Sequence, residues 1–436
     1  MEIKPFRAFR YDEAVVNHVG DCVAPPYDII SDVQQDELYQ KSEYNIVRIT
    51  KGKTNPSDHN GDNQYTRAAG YLKGWIEKGV LKQDPEDTIY AYVQDFKLAG
   101  RHLQRFSFIA LARLEEFGSI VRPHEQVMKD PMTDRLNLKR ATAAKFGLVF
   151  MLYEDDRNIA DRIIESAARQ KPLLDFADEQ HTRHRLFAIT APEDINAIAR
   201  MMADKNCIIA DGHHRYTTGL TYSRENPDPA ARYQMLAFSN TRHEGLVVLA
   251  THRVVNNLEA FDITKFISDL KDDFEIVAYH YHSPPVKIDA RQKMLARMKA
   301  DHDGDRNAFG IYAGNGSFYV ATLKDRRAMD AAAPDKSGPW RSLDVAVLHK
   351  LVLDRLLGID EQKLAGGQNV EYVKDTSDAI NEIIEKVDSG LKQVAFFMSP
   401  PKIEQIQMVA DHGERMPQKS TYFFPKVYTG LTINKL

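Results

Sequence analysis

Two cysteines, Cys22 and Cys207, are all that 436 residues contain. That scarcity excludes a disulfide framework, points to a reducing compartment, and leaves no paired-cysteine spacing of the kind a structural zinc site needs. No apolar run approaches the roughly 18 residues of a membrane-spanning helix, and the opening Met1-Glu-Ile-Lys-Pro-Phe-Arg7 has no apolar signal core. A soluble, cytoplasmic protein without a membrane partner is therefore expected. Neither sign of charge dominates: the net formal charge is −4, so no nucleic-acid partner with its broad basic face is expected. Low-complexity tracts and internal repeats are also missing. What is present is globular, with 43% hydrophobic and 28% charged residues in a chain long enough for two or three domains.

The densest chemistry lies in Cys207-Ile-Ile-Ala-Asp-Gly-His-His-Arg-Tyr-Thr-Thr-Gly-Leu220. An apolar run fit for a buried strand reaches Asp211, and Tyr216, Leu220 and Tyr222 then recur at helical spacing. Gly212 sits at the junction, where a missing Cβ permits both a sharp turn and close approach of a ligand to the main chain. First-turn N–H groups and the helix dipole favour an anion there, phosphate above all, and Arg215 adds a planar fork of donors. Asp211 can cap the helix or hold Mg²⁺, and His213 and His214 can donate to phosphate or shuttle a proton. Against this, strand-turn-helix with Asp before Gly is common punctuation; three adjacent polar side chains at a helix start are less easily explained by packing.

Upstream, Ala24-Pro-Pro-Tyr-Asp28 reads as a stiff loop, Ser31 as the cap of a following helix, and Ile46–Thr50 as a strand bearing Arg48. Gln64 to Gly79 has a helical apolar face; Thr88–Phe96 and Leu103–Arg113 read as a hairpin. A helix is expected over Asp134–Lys145, where Arg135, Lys139, Arg140 and Lys145 form a solvated face or send one side chain to a phosphate. His124-Glu125 is either plain capping or a pair in which Glu125 accepts a proton from a hydroxyl and His124 orients it. From about residue 256 the pattern becomes an added α+β layer. Near the end, Met416-Pro-Gln-Lys-Ser-Thr-Tyr-Phe-Phe-Pro-Lys426 is either a strand packed through its aromatics or a tail returning Lys419, Ser420, Thr421 and Lys426 to bind phosphate.

Ile-Ala-Asp-Gly-His-His-Arg-Tyr216 resembles the signature of the DUF 1015 family, placed with the ParB/sulfiredoxin superfamily. Further stretches match: Ala24-Pro-Pro-Tyr-Asp-Ile-Ile-Ser31, Tyr44-Asn-Ile-Val-Arg48, Pro123-His-Glu125, Gly245-Leu246 with Thr251-His-Arg253, and Met416 to Lys426. The resemblance implies a mixed α/β fold: a ParB/sulfiredoxin-like catalytic region over 1–255, an α+β accessory region over 256–415, and a tail over 416–436. The Asp211–Arg215 turn is similar to that of kinases acting on free serine. Such a likeness implies phosphoryl transfer from ATP, ADP or pyrophosphate, with Mg²⁺, to a small hydroxyl substrate, L-serine first. It further implies Glu125 as the acidic base and Tyr27, Asp28, Asn45, Arg48 and His124 as an acceptor pocket. A ParB-like nucleotide switch is the alternative, weakened by the lack of a basic arm. Sulfiredoxin chemistry is weakened because no cysteine lies within the turn.

Overall fold

The computed structural model describes residues 1–125, 130–376 and 378–436. Its mixed α/β architecture divides into two compact units. The first comprises Met1–Pro123, Val127–Val247 and Phe423–Leu436; the second comprises His124–Gln126 and Val248–Tyr422. Among the described residues no helix is long and apolar enough to cross a membrane.

The first unit is built on a nine-stranded mixed sheet. In spatial order its strands are Val121–Pro123, Cys207–Asp211, Val149–Tyr153, Tyr233–Asn240, Arg101–Arg113, Ile89–Leu98, Arg183–Ile189 and Leu174–Ala177, with Ile3–Lys4 also pairing on Arg101–Arg113. Cys207–Asp211 runs parallel to Val121–Pro123 and antiparallel to Val149–Tyr153. Such a strand is covered on both faces, which is why Cys207, Ile208, Ile209 and Ala210 are apolar and buried. The expected hairpin forms in register Leu98↔Arg101, and its two turn residues, Ala99 and Gly100, have φ of 47° and 76°. Two positive φ angles give the turn the twist that matches the strands. Val93, Phe108, Val149, Met151, Ile209, Tyr216 and Phe238 meet in the core of this unit.

The segment Phe423–Leu436 completes the first unit by long-range pairing. Thr429 bridges to Ala24, Ile433 to Phe9, and Asn434–Lys435 pairs antiparallel with Ala144–Lys145. This pairing corrects the expected helix over Asp134–Lys145: the helix spans Asp130–Thr142, and Lys145 lies in a strand. Ile46–Thr50 is likewise not a strand, since Val47–Thr50 forms a helical turn with Val47, Ile49 and Thr50 buried. Four β-branched residues in five favour a strand, and burial of Val47, Ile49 and Thr50 overrides that preference. After the two prolines, Tyr27–Ile29 closes a short 3-10 turn where an extended loop was expected.

The second unit has a six-stranded antiparallel sheet in the order Phe274–His280, Ser317–Leu323, Ala308–Tyr312, Val394–Phe397, Thr251–Val255 and Val370–Lys374. The helices Pro284–Asp303 and Ala379–Asp388 supply Ala290, Met294, Met298, Ile383, Ile384 and Val387 to its core. Gly310 permits this packing: a Cβ there would lie 2.7 Å from the Met298 sulfur and 2.8 Å from that of Met294.

Candidate functional site

Asp211 ends its strand at an irregularity. Ile209 pairs with Met151, but Asp211 pairs with Phe150, so one extra residue is absorbed between them. A bulge of this kind re-aims the side chain that follows it. Gly212 then adopts φ 93° and caps the helix His213–Glu225 without a side-chain hydrogen bond. Glycine is needed twice over here: the backbone is left-handed, and a Cβ would meet the Arg215 guanidinium at 3.0 Å. The guanidinium therefore lies against the turn.

Around this turn positive charge exceeds negative. The Lys426 ammonium donates to Asp211 Oδ2 at 2.7 Å, and Arg215 Nη2 donates to Asp211 Oδ1 at 3.4 Å. Burial pushes the Asp211 carboxyl upward, but Lys426 and then Arg215 outweigh it and hold the group well below the usual carboxylate range. Arg215 Nη1 donates to the Leu148 carbonyl. His213, buried, also helps hold Asp211 ionised. Behind the pair, Gln94 Nε2 donates to the Lys426 carbonyl at 2.9 Å, while Gln94 Oε1 accepts from Arg105 Nε at 3.0 Å. Arg105 is fully buried and stacks at 4.6 Å on the Phe150 ring. Burial lowers its guanidinium to about 10, against upward pulls from Tyr92 and then Asp211. One carboxylate thus serves Lys426, Arg215 and Arg105, leaving net positive charge that suits an anion.

The other sequence candidates fall in different places. Tyr27 lines the cleft that Arg215 lines, and Arg135 stacks at 3.9 Å over its ring. Asp28 is exposed. Asn45 is fully buried and engaged with main chain: its amide donates to the Asp21 and Val23 carbonyls and accepts from the Val47 N–H. Arg48 donates to the Tyr39 carbonyl, stacks on the Tyr39 ring, and lines a different cleft beside Tyr44 and Trp75. The four do not converge into one pocket, because Asn45 and Arg48 instead tie together their own segment.

His124, Glu125, Lys419, Ser420 and Thr421 belong to the second unit. His124 Nε2 and Thr421 Oγ1 are 2.7 Å apart, Thr421 Oγ1 donates to Glu125 Oε1 at 3.5 Å, and the Met416 N–H donates to the His124 carbonyl at 2.8 Å. Ser420 is buried and donates to the Pro417 carbonyl; the Lys419 carbonyl accepts from Arg253 Nη2 at 3.1 Å. These hydroxyls and main-chain groups hold the 416–421 segment in shape.

Sequence reasoning missed Gln94 and Arg105, and it named Lys139 and Lys145 only within a charged helix face, whereas both are buried. For Arg105 a signal existed: it shares a strand face with Leu103 and Ser107, all three buried, where an arginine needs a special reason. Among the described residues no group of three or more His, Cys, Asp or Glu is arranged to hold a metal ion.

A mixed α/β unit with a cationic strand-glycine-helix turn is the class of site the coordinates define. The chain belongs to the DUF1015 family, described as a protein of unknown function, whose model matches residues 3–346. Lys426 lies beyond that range yet makes the 2.7 Å contact to Asp211. No curated protein matches in sequence. Solved structures similar to the chain include a free serine kinase in complex with AMP, at 13% identity and a TM-score of 0.35, covering 72% of this chain and 86% of that one. SbnI with a C-terminal truncation from Staphylococcus aureus matches at 9% identity and a TM-score of 0.34, covering 75% and 87%. A conserved hypothetical protein from Pyrococcus furiosus matches at 13% identity and a TM-score of 0.31, covering 72% and 95%.

Proposed function

We propose that the chain is a small-molecule phosphotransferase that moves a phosphoryl group from ATP, ADP or pyrophosphate to a hydroxyl, with free L-serine as the first acceptor to test. The observation that carries this reading is the charge imbalance at the turn: Lys426 and Arg215 flank one carboxylate, at 2.7 Å and 3.4 Å, beside a glycine-capped helix start. Charge developing on the migrating phosphoryl oxygens meets donors already in position, and such fixed electrostatics supply most of the acceleration in phosphoryl transfer. Asp211 orients the Lys426 ammonium through their 2.7 Å contact. The new bond joins the acceptor oxygen to phosphorus as the bond to the leaving phosphate breaks. The hydroxyl proton passes to a base, for which His213 and His214 stand at the turn and Glu125 is the carboxylate that the family resemblance suggests.

Mg²⁺ belongs to this proposal as the counter-ion of the donor. Both Asp211 oxygens already accept from cationic side chains, so Asp211 does not fit a metal unless Lys426 yields. The transfer is accordingly derived from side chains alone.

Phosphorus NMR of the chain with Mg²⁺, L-serine and each donor in turn tests the reading, and O-phosphoserine is the expected product. Asp211→Asn and Arg215→Gln should each lower turnover by about 10²-fold or more. Unchanged turnover in both variants would remove the turn from the chemistry. Donor loss without a phosphorylated acceptor would replace the transferase reading with a nucleotide switch. Glu125→Gln, assayed separately, tests the proton acceptor.

A further inference from the structure

Beside Arg215 the first unit opens into a small cleft. Four of its lining side chains, Arg135, Lys139, Lys145 and Arg215, can carry positive charge, and none of the lining side chains is a carboxylate. Arg135 is partly offset by an ion pair with Asp134, and Arg215 by Asp211. The two lysines differ. Lys139 and Lys145 are 7% and 3% exposed, and neither forms an ion pair with a carboxylate among the described residues. Lys139 Nζ donates to Gln234 Oε1 at 3.0 Å; Lys145 Nζ donates to Asn434 Oδ1 at 2.7 Å and to the Ala230 carbonyl at 3.5 Å. Two amines buried against neutral acceptors are expensive to charge, and a packed core of this size had no need of them.

We propose that this cleft is a binding subsite for a phosphate-bearing anion with two or more negative charges, held by Lys139, Lys145, Arg135 and Arg215. The proposal rests on the reading of the Asp211–Arg215 turn as a phosphate cradle, because Arg215 is shared: the turn grips the phosphoryl group that moves, and the cleft holds the remainder of the donor. Inorganic polyphosphate and the phosphates of a nucleotide present the same chemistry here. Leu138, Ala144 and Phe146 add an apolar wall that only a nucleoside could use.

Proton linkage gives the subsite its own signature. Burial lowers Lys139 to about 7 and Lys145 to about 6, the latter helped by Lys139 and Lys4 and opposed by Asp228. The charged or titratable groups around the pair also include Arg135 and Arg215 in the cleft, Tyr27, and Tyr222, whose ring lies 5.3 Å from Lys139 Nζ. At about pH 8 the lysines are therefore mostly neutral, and an arriving anion draws protons onto them.

Calorimetric titration of the full chain with pyrophosphate, tripolyphosphate and ADP, in two buffers of different ionisation enthalpy, reads that uptake. Net proton uptake is expected at about pH 8 and its disappearance below about pH 5.5, where both amines already carry their protons. Lys139→Met and Lys145→Met should each weaken pyrophosphate binding by roughly 10-fold or more and reduce the uptake, while Lys139→Arg retains binding. Methionine matches lysine in length, and thermal melts check that the variants fold. Tighter binding of ADP than of pyrophosphate supports a subsite that also contacts the nucleoside; equal binding supports one that reads phosphate alone. Unchanged affinity and uptake in both methionine variants, or no binding of any of the three anions, overturns the proposal. Lysine-dependent uptake that persists while Asp211→Asn leaves transfer intact would sink the cradle reading and keep the anion subsite. The reverse pattern would do the opposite.

Discussion

Each unit buries one arginine completely, and the two are held in different ways. Arg105 in the first unit and Arg253 in the second are 0% and 1% exposed, and burial lowers both to about 10. Each also leaves one nitrogen without a hydrogen-bond partner among the described residues, Nη1 of Arg105 and Nε of Arg253. Arg253 donates to the main-chain carbonyls of Thr251 and Lys419, pinning the 416–421 segment to its strand. Arg105 donates to a side chain, Gln94, whose amide holds the Lys426 carbonyl. A buried cation that grips backbone is a fastener. One that grips the Gln94 side chain behind the Lys426–Asp211 pair adds positive potential to that pair's surroundings.

That contrast can be broken by experiment. Arg105→Met is expected to lower phosphoryl transfer by about 10²-fold while changing stability by no more than about 1 kcal/mol, because relief of a buried charge offsets the acceptor left open on Gln94. Arg253→Met should leave transfer unchanged and cost more stability, about 1–3 kcal/mol in denaturant unfolding, because two carbonyls rather than one acceptor are left open against the same relief of buried charge. Equal stability losses in the two variants would erase the distinction. Lys426→Met comes next, at roughly 2–3 kcal/mol, somewhat under the range for a fully enclosed pair. Because the Asp211 carboxyl is lowered in the fold, its contribution is present above the ordinary carboxylate pKa and is lost as pH falls below it. Removing Lys426 lets burial push Asp211 up, so acid unfolding should begin at a higher pH.

A gentler effect separates Lys145 from surface lysines. Its folded value, about 6, lies below that of the unfolded chain, which therefore binds the extra proton between pH 6 and the ordinary lysine range. Stability rises with pH through that window, by up to about 1.4 kcal/mol per pH unit for each such lysine. Lys145→Met should flatten the slope measured between about pH 7 and pH 9. Smallest of all is Arg140, one residue beyond Lys139 but paired with Glu225 in solvent. Arg140→Ala is expected to leave the melting temperature unchanged.

The strand-glycine-helix turn was legible because its signals are local: an apolar run to Ala210, a glycine, then polar residues opening a helix. The hairpin at Ala99-Gly100 and the helix start at Ser31 were legible for the same reason. Illegible features depend on partners far along the chain. Ile46–Thr50 carries strand-like side chains and is helical through packing. Lys139 and Arg140 look alike in sequence, yet one is buried beside Gln234 and the other exposed. Lys145 leaves its expected helix to pair with Asn434, a relation separated by 289 positions. In the 416–426 stretch Tyr422–Phe424 packs as a buried strand, and Lys426 is not a surface residue but contacts Asp211.

The order of synthesis gives the Lys426 contact a further consequence. Asp211 leaves the ribosome more than two hundred residues ahead of its ammonium partner, since the contact spans 215 positions. Throughout that interval the nascent first unit lacks Thr429, Ile433 and Asn434 as well as Lys426, all of which arrive only after the second unit has been translated. The contacts that complete the first unit, Lys426 to Asp211 among them, thus form only after the whole second unit has been translated, so the turn at Asp211 stays without its ammonium partner until then.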